Sequence, residues 1–143
     1  MNERYLFRGK RKDNGEWVTG YLIKGNNTYI VTPEAIYYMV VSISYMASVE
    51  FVEVLPETVG QCTGLKDKNG NWVFEGDIAK FRRFENNYIG KIIFNHKTAG
   101  FEFWWNIVAG AYGEKATYTA NLSVCDEIEV FGSVHDNPEL LEV

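Results

Sequence analysis

Two histidines and two cysteines are all that this chain of 143 residues holds, and that scarcity closes off much of catalytic chemistry. Cys62 and Cys125 lack a Cys-x-x-Cys neighbour, so they read as free, half-buried thiols rather than a disulfide or a metal framework. His96 and His135 have no ligand-spaced partner two or four residues away and fall in an expected turn and in the C-terminal tail, so both read as surface residues. Ser133 follows Gly132 outside any Gly-x-Ser-x-Gly elbow, which leaves acyl transfer without support. Long apolar runs are also missing. The longest, such as residues 35–41, fall far short of the roughly 20 residues a membrane-spanning helix needs. Met1-Asn2-Glu3-Arg4 leads into Tyr5-Leu6-Phe7-Arg8 without the apolar segment of a secretion signal. A soluble, cytoplasmic protein with no membrane contact, no metal and no cofactor is expected.

Aromatic residues make up 15% and hydrophobic residues 46% of the chain, enough for a buried core and favourable to β structure, where rings and β-branched side chains pack on a pleated surface. The net charge of −5 is unevenly placed: residues 98–143 carry one lysine against eight acids, while residues 1–97 carry 13 basic against 11 acidic residues. An acidic segment of that kind keeps a protein soluble or faces a basic partner.

The organising stretch is residues 56–78, where Gly60, Gly64, Gly70 and Gly76 recur at short intervals. Asn69-Gly70, between Leu65 and Trp72-Val73-Phe74, predicts a two-residue type I′ hairpin turn, which needs positive φ at both positions. Asn14-Gly15 predicts a second. The runs Lys12-Asp13-Asn14-Gly15-Glu16-Trp17-Val18 and Lys66-Asp67-Lys68-Asn69-Gly70-Asn71-Trp72-Val73 resemble each other around a one-residue difference, as a duplication or as convergence on good hairpin chemistry would produce.

Strands are expected over residues 5–8, 17–23, 29–31 (closed by Pro33), 36–45, 49–54, 78–84, 88–94, 101–105, 117–119 and 128–134. Phe81 and Phe84 cannot share a strand face without a bulge, and Gly132 reads as another bulge. Asn137-Pro138 should open a single helical turn. The expected fold is mainly β with very little helix: an N-terminal β-hairpin region, residues 1–55, packed with an SH3-like small β-barrel and short tail, residues 56–143.

Paired carboxylates at Glu75 and Asp77, on one strand face with Asp67 nearby, could bind a cation or, with His96, run acid/base chemistry. An acid this close to a turn more often takes backbone N–H groups, and that is the expectation for Asp77. Basic residues cluster at Arg8, Lys10, Arg11 and Lys12, and again at Lys80, Arg82 and Arg83, the second group interleaved with Phe81, Phe84 and Tyr88. Such a surface could stack single-stranded bases, although the net negative charge opposes phosphate binding. Trp104 and Trp105 must point to opposite faces of one strand, so one is buried and the other is exposed or at an interface, unless a lid loop covers it.

Residues 56–64, the run Leu65-Lys66-Asp67-Lys68-Asn69-Gly70 and Glu75-Gly76-Asp77-Ile78 together resemble the signature of the YopX family. The resemblance extends to Phe7-Arg8-Gly9-Lys10, to residues 15–22, to residues 128–134 and to Asp136-Asn137-Pro138-Glu139-Leu140-Leu141, with Cys62 where the family usually carries an aromatic. It implies a small, mostly β protein carried on phage or prophage genomes, in a family with no established biochemical activity. The expected function is therefore non-enzymatic: binding of a host or phage protein, with homo-oligomers compatible. Binding of nucleic acid is the alternative. The candidate binding surface comprises Lys80, Arg82, Arg83, Phe84, Tyr88, Trp104 and Trp105, and the structural motif Gly60, Gly64, Asn69, Gly70, Glu75, Gly76 and Asp77.

Overall fold

The structure is a computed structural model that describes residues 3–34 and 51–142. The strand expected over residues 36–45, and the start of the one expected over 49–54, lie outside the described residues. The chain is mainly β, with its strands in two antiparallel sheets. It divides into two compact units, Met1–Cys62 and Thr63–Val143.

In the first unit, β1 (Phe7–Lys10), β2 (Trp17–Lys24), β3 (Thr28–Val31) and β4 (Val52–Glu53) pair in the order β4-β3-β2-β1. The first residues of β5 (Gly60–Lys66) add to β1, Gly60 opposite Arg8 and Gln61 opposite Phe7. β1 does not stop at Gly9 as expected but runs through it, because Gly9 pairs with Val18 and a β-carbon there would sit 3.1 Å from Val54 Cβ. Gly20 is held by the same logic more tightly: an added β-carbon would lie 2.3 Å from the Val31 carbonyl oxygen. Ile30, Val52 and Val54 form a small core, with Val18, Leu22 and Val59 against it. Arg8 and Lys10, two apart on β1, both lay their charge over the Trp17 ring, at 4.5 and 5.4 Å.

In the second unit, the remainder of β5 forms a hairpin with β6 (Trp72–Phe74). β7 (Asp77–Arg83), β8 (Asn86–Asn95), β9 (Gly100–Ala109), β10 (Glu114–Asn121) and β11 (Asp126–Ser133) make a five-stranded sheet in the order β10-β9-β8-β7-β11. This sheet is open, so the closed SH3-like barrel expected from strand spacing is not confirmed. Closure is blocked at β11: on its far side from β7, the hairpin tip hydrogen-bonds to it, Lys68 N donating to Ile128 O (2.8 Å) and Val130 N donating to the Asp67 carboxylate (3.1 Å). Phe81 stacks on Phe103 at 3.9 Å and meets the edge of Trp105 at 5.1 Å, and Val73, Ile92, Leu122 and Cys125 complete the core. Gly132 sits at a register shift of β11 as expected, with Asn137 and Leu140 side chains pressed against it.

Three local expectations are corrected. The Asn-Gly turns are not type I′, since neither Asn14 nor Asn69 has positive φ while Gly15 and Gly70 do, at +74° and +84°. Instead Lys68-Asn69-Gly70 is a three-residue loop closed by Asp67 N to Asn71 O (2.8 Å), and Lys12-Asp13-Asn14-Gly15 a four-residue loop closed by Arg11 N to Glu16 O (2.8 Å). Asp67 supplies the reason: its Oδ1 accepts from the amides of Asn69 (3.0 Å) and Asn71 (2.9 Å), whereas a two-residue turn would commit the Asn71 amide to Lys68. Next, Phe81 and Phe84 are reconciled by a turn and not by a bulge. Arg83 pairs with Asn86, so Phe84-Glu85 is a two-residue turn, and Phe84 stands 80% exposed at φ +50°. Finally, Glu75 and Asp77 share no strand face, because Glu75-Gly76 is the turn into β7, with Gly76 at φ +89°.

These backbone positions make opposite predictions. Gly15→Ala and Gly70→Ala should each cost about 1 kcal/mol, since open space surrounds both and only the left-handed backbone objects. Gly20→Ala should cost roughly 3 kcal/mol, because a carbonyl must move. Phe84→Gly should run the other way and raise stability by about 1 kcal/mol. Urea midpoints of the four variants give the ranking directly.

Asp67 carries a pH dependence. Burial pushes its carboxyl up, but the amides of Asn71, Val130 and Asn69 outweigh burial and hold it below its ordinary value of 3.8. A carboxylate lowered on folding lends stability that is complete above the unfolded value and is lost as pH falls through the folded one. Asp67→Asn, which gives up the acceptor for Val130, should lower stability at pH 7 by about 1–3 kcal/mol. Urea titrations should show its gap from the parent closing as pH falls below about 4.

Candidate functional site

The second unit carries a groove of about 760 Å³. Its floor is set by strand alternation and register. On β7, Ala79 and Phe81 turn into the core, which leaves Lys80 and Arg82 on the other face. β11 brings Glu129 opposite Lys80, and β9 brings Trp104 opposite Lys91 of β8. Ile89, Trp104 and Val108 supply apolar surface, Asn106 a polar side chain, and the helical turn Pro138–Leu141 contributes Leu140 and Leu141. That turn forms where Asn137-Pro138 predicts it, although the Asn137 side chain does not cap it.

Two cations around the groove are paired with acids. Lys68 Nζ lies 2.9 Å from Glu129, and Arg82 lies 3.4 Å from Glu127. The Lys68 hydrogen bond and charge hold the Glu129 carboxyl below its usual range, and Glu129 in turn raises Lys68. Lys80 sits 5.2 Å over the Phe131 ring and Lys91 4.3 Å over Trp104. Cation–π placement keeps ammonium groups near apolar surface without burying them. Asn106 Oδ1 accepts from Thr117 of β10 at 2.7 Å, which orients the amide at the rim.

The seven residues of the sequence-derived surface are divided by the fold. Lys80, Tyr88 and Trp104 line the groove, and Arg82 lies on the Lys80 face, bound to Glu127. Tyr88 places its ring against Phe81 (5.8 Å) and Trp105 (5.4 Å). Trp105 is 4% exposed, inside the core, while Trp104 is half-buried on the opposite face, as strand alternation requires. Arg83 stacks its guanidinium 5.0 Å over Phe84 at the β7–β8 turn.

The groups considered for catalysis have other occupations. Asp77, 1% exposed, accepts the Phe74 amide at 2.8 Å, the turn role expected of it. His96 is exposed at the β8–β9 turn with its ring edge-on to Phe94 at 5.0 Å. Cys62 and Cys125 are both free and buried. Burial pushes the Cys125 thiol up to about 11, against the pull of Arg83, so it stays protonated at neutral pH and is a poor nucleophile. Among the described residues, no group of three or more His, Cys, Asp or Glu could hold a metal ion, and no helix is long and apolar enough to cross a membrane.

Sequence reading missed Lys68, Ile89, Asn106, Val108, Glu127, Glu129, Leu140 and Leu141 as groove residues. Only the two leucines had a local signal, an apolar pair behind Asn-Pro; the rest meet through cross-strand register. The family resemblance is borne out on both units. No curated protein matches the chain, but a family model described as YopX protein matches residues 6–142, nearly the whole length, with the hairpin run, the β11 segment and the closing helical turn all inside it. The chain belongs to the YopX protein family.

Proposed function

We propose that this YopX family member is a non-enzymatic accessory protein of phage or prophage origin, working in the bacterial cytoplasm by binding a protein partner through the groove of its second unit. The observation that carries this reading is an apolar floor, Ile89, Trp104, Val108 and Leu140, beside a rim on which Lys68 is paired with Glu129, with Arg82 next to it paired with Glu127. Protein interfaces favour such a composition, with aromatic anchors at the centre and charged residues at the edge. Trp104 is the natural anchor.

Nucleic acid is the weaker occupant. Arg82 is engaged by Glu127 and Lys68 by Glu129, so a phosphate would compete with carboxylates for both cations. Pull-down from a bacterial host lysate should capture a protein that survives nuclease treatment, with Trp104→Ala weakening capture at least about tenfold. Single-stranded oligonucleotide should bind weakly or not at all. Submicromolar oligonucleotide binding that falls with salt at roughly 0.7 log units per phosphate contact, and that is lost when Arg82 and Arg83 are replaced, would reverse the ranking.

A further inference from the structure

The two edges of the five-stranded sheet are built differently. β11 is broken by register shifts between Asp126 and Glu129 and between Val130 and Gly132, and the β5–β6 hairpin tip bonds to its outer side. Bulges and a covering segment are two of the devices by which an edge strand is kept from pairing with another chain. β10, at the other edge, has neither among the described residues. It pairs with β9 over eight residues in unbroken register, Glu114 opposite Ala109 through Asn121 opposite Glu102. It contains no proline, and among the described residues its only neighbour in the sheet is β9. Thr117, Tyr118 and Thr119 in its middle are exposed, Tyr118 at 45% while its ring stacks on Trp105.

We infer that two copies of this chain pair through β10, antiparallel about a two-fold axis perpendicular to the sheet, to make one continuous ten-stranded sheet. Cross-strand neighbours must point to the same face. The axis therefore passes through a residue facing itself, Thr117 or Tyr118 at the middle of the strand. In either register the only charges of β10, Glu114 and Lys115, fall at the ends of the interface, where neither meets its own kind. The centre is threonine and tyrosine, residue types suited to cross-strand packing. A partner strand of another protein would bring its own charges to an edge whose middle offers none to recognise, whereas the copy is self-complementary by symmetry. An eight-residue edge is small beside the roughly 1,200–2,000 Å² of a standard interface, so association depends on concentration. A perpendicular axis also places both grooves on the same side of the joined sheet. A partner with two binding segments would then be held by both copies, a consequence that rests on the groove reading while the pairing itself does not.

Sedimentation or light-scattering mass, followed from about 1 μM to about 1 mM, tests the pairing on the full chain. The parent should rise from one chain mass toward two. The double variant Thr117→Lys/Thr119→Lys, at exposed positions that set lysines of the two copies against each other in either register, should stay at one chain mass while still unfolding cooperatively, its midpoint lowered only by loss of the Thr117–Asn106 hydrogen bond. Hydrogen exchange of the parent should show alternate β10 amides slowing as the mass doubles. A parent that stays at one chain mass throughout would overturn the inference and leave the edge to a strand from another protein. So would a dimer that persists in the lysine variant, or one that forms with no change in β10 exchange.

Discussion

One carboxylate ties the second unit together. Asp67 is 6% exposed and accepts three backbone amides, two from its own hairpin loop and one from Val130 on β11. The first two bonds select a three-residue loop over the tighter turn. The third bonds the tip of that loop to a strand more than sixty positions later in sequence. A buried charge is costly unless hydrogen bonds replace its water, and here the backbone supplies them. Because the tip takes the outer side of β11, the sheet does not close there, and among the described residues β10 is left with β9 as its one strand neighbour.

The open face owes its character to register. Alternation along β7 separates the core residues Ala79 and Phe81 from Lys80 and Arg82, but only the pairing with β11 decides that Glu129 stands opposite Lys80. The same pairing brings Glu127 within reach of Arg82. A cluster that reads as basic along the chain thus has Arg82 paired with Glu127 and Lys80 facing a carboxylate that Lys68 already holds. This is the physical ground for preferring a protein partner to a polyanion: neutralised cations release few counterions on meeting phosphate.

Glycine and strain mark where the backbone is asked for something unusual. Gly20 and Gly90 lie flat against a neighbouring carbonyl, where an added β-carbon would stand 2.3 Å from Val31 O and 2.7 Å from Trp104 O. Phe84 is the reverse case, a large ring in a left-handed conformation at an exposed turn, held there although a smaller residue would suit the backbone better. Its ring meets the Arg83 guanidinium and is otherwise turned to solvent, which places an aromatic contact at the end of the β7–β8 hairpin.

The sequence alone determined the mainly β character, the positions of most strands, the opposite facing of Trp104 and Trp105, the backbone-binding role of Asp77 and the family. Each of these follows from local chemistry: ring and β-branched content, alternation, turn residues, and a motif run long enough to be specific. The type of the Asn-Gly turns was not local, because it depends on Asp67 bonding to Asn69 and Asn71 while β11 holds the same side chain. Nor was the fate of the barrel, which strand spacing cannot decide when a hairpin tip occupies the edge that closure would need. The groove was least legible of all. Lys68, Asn106, Glu127, Glu129 and Leu140 lie on four different elements, and only hydrogen-bonded register, a relation between distant segments, brings them to one face.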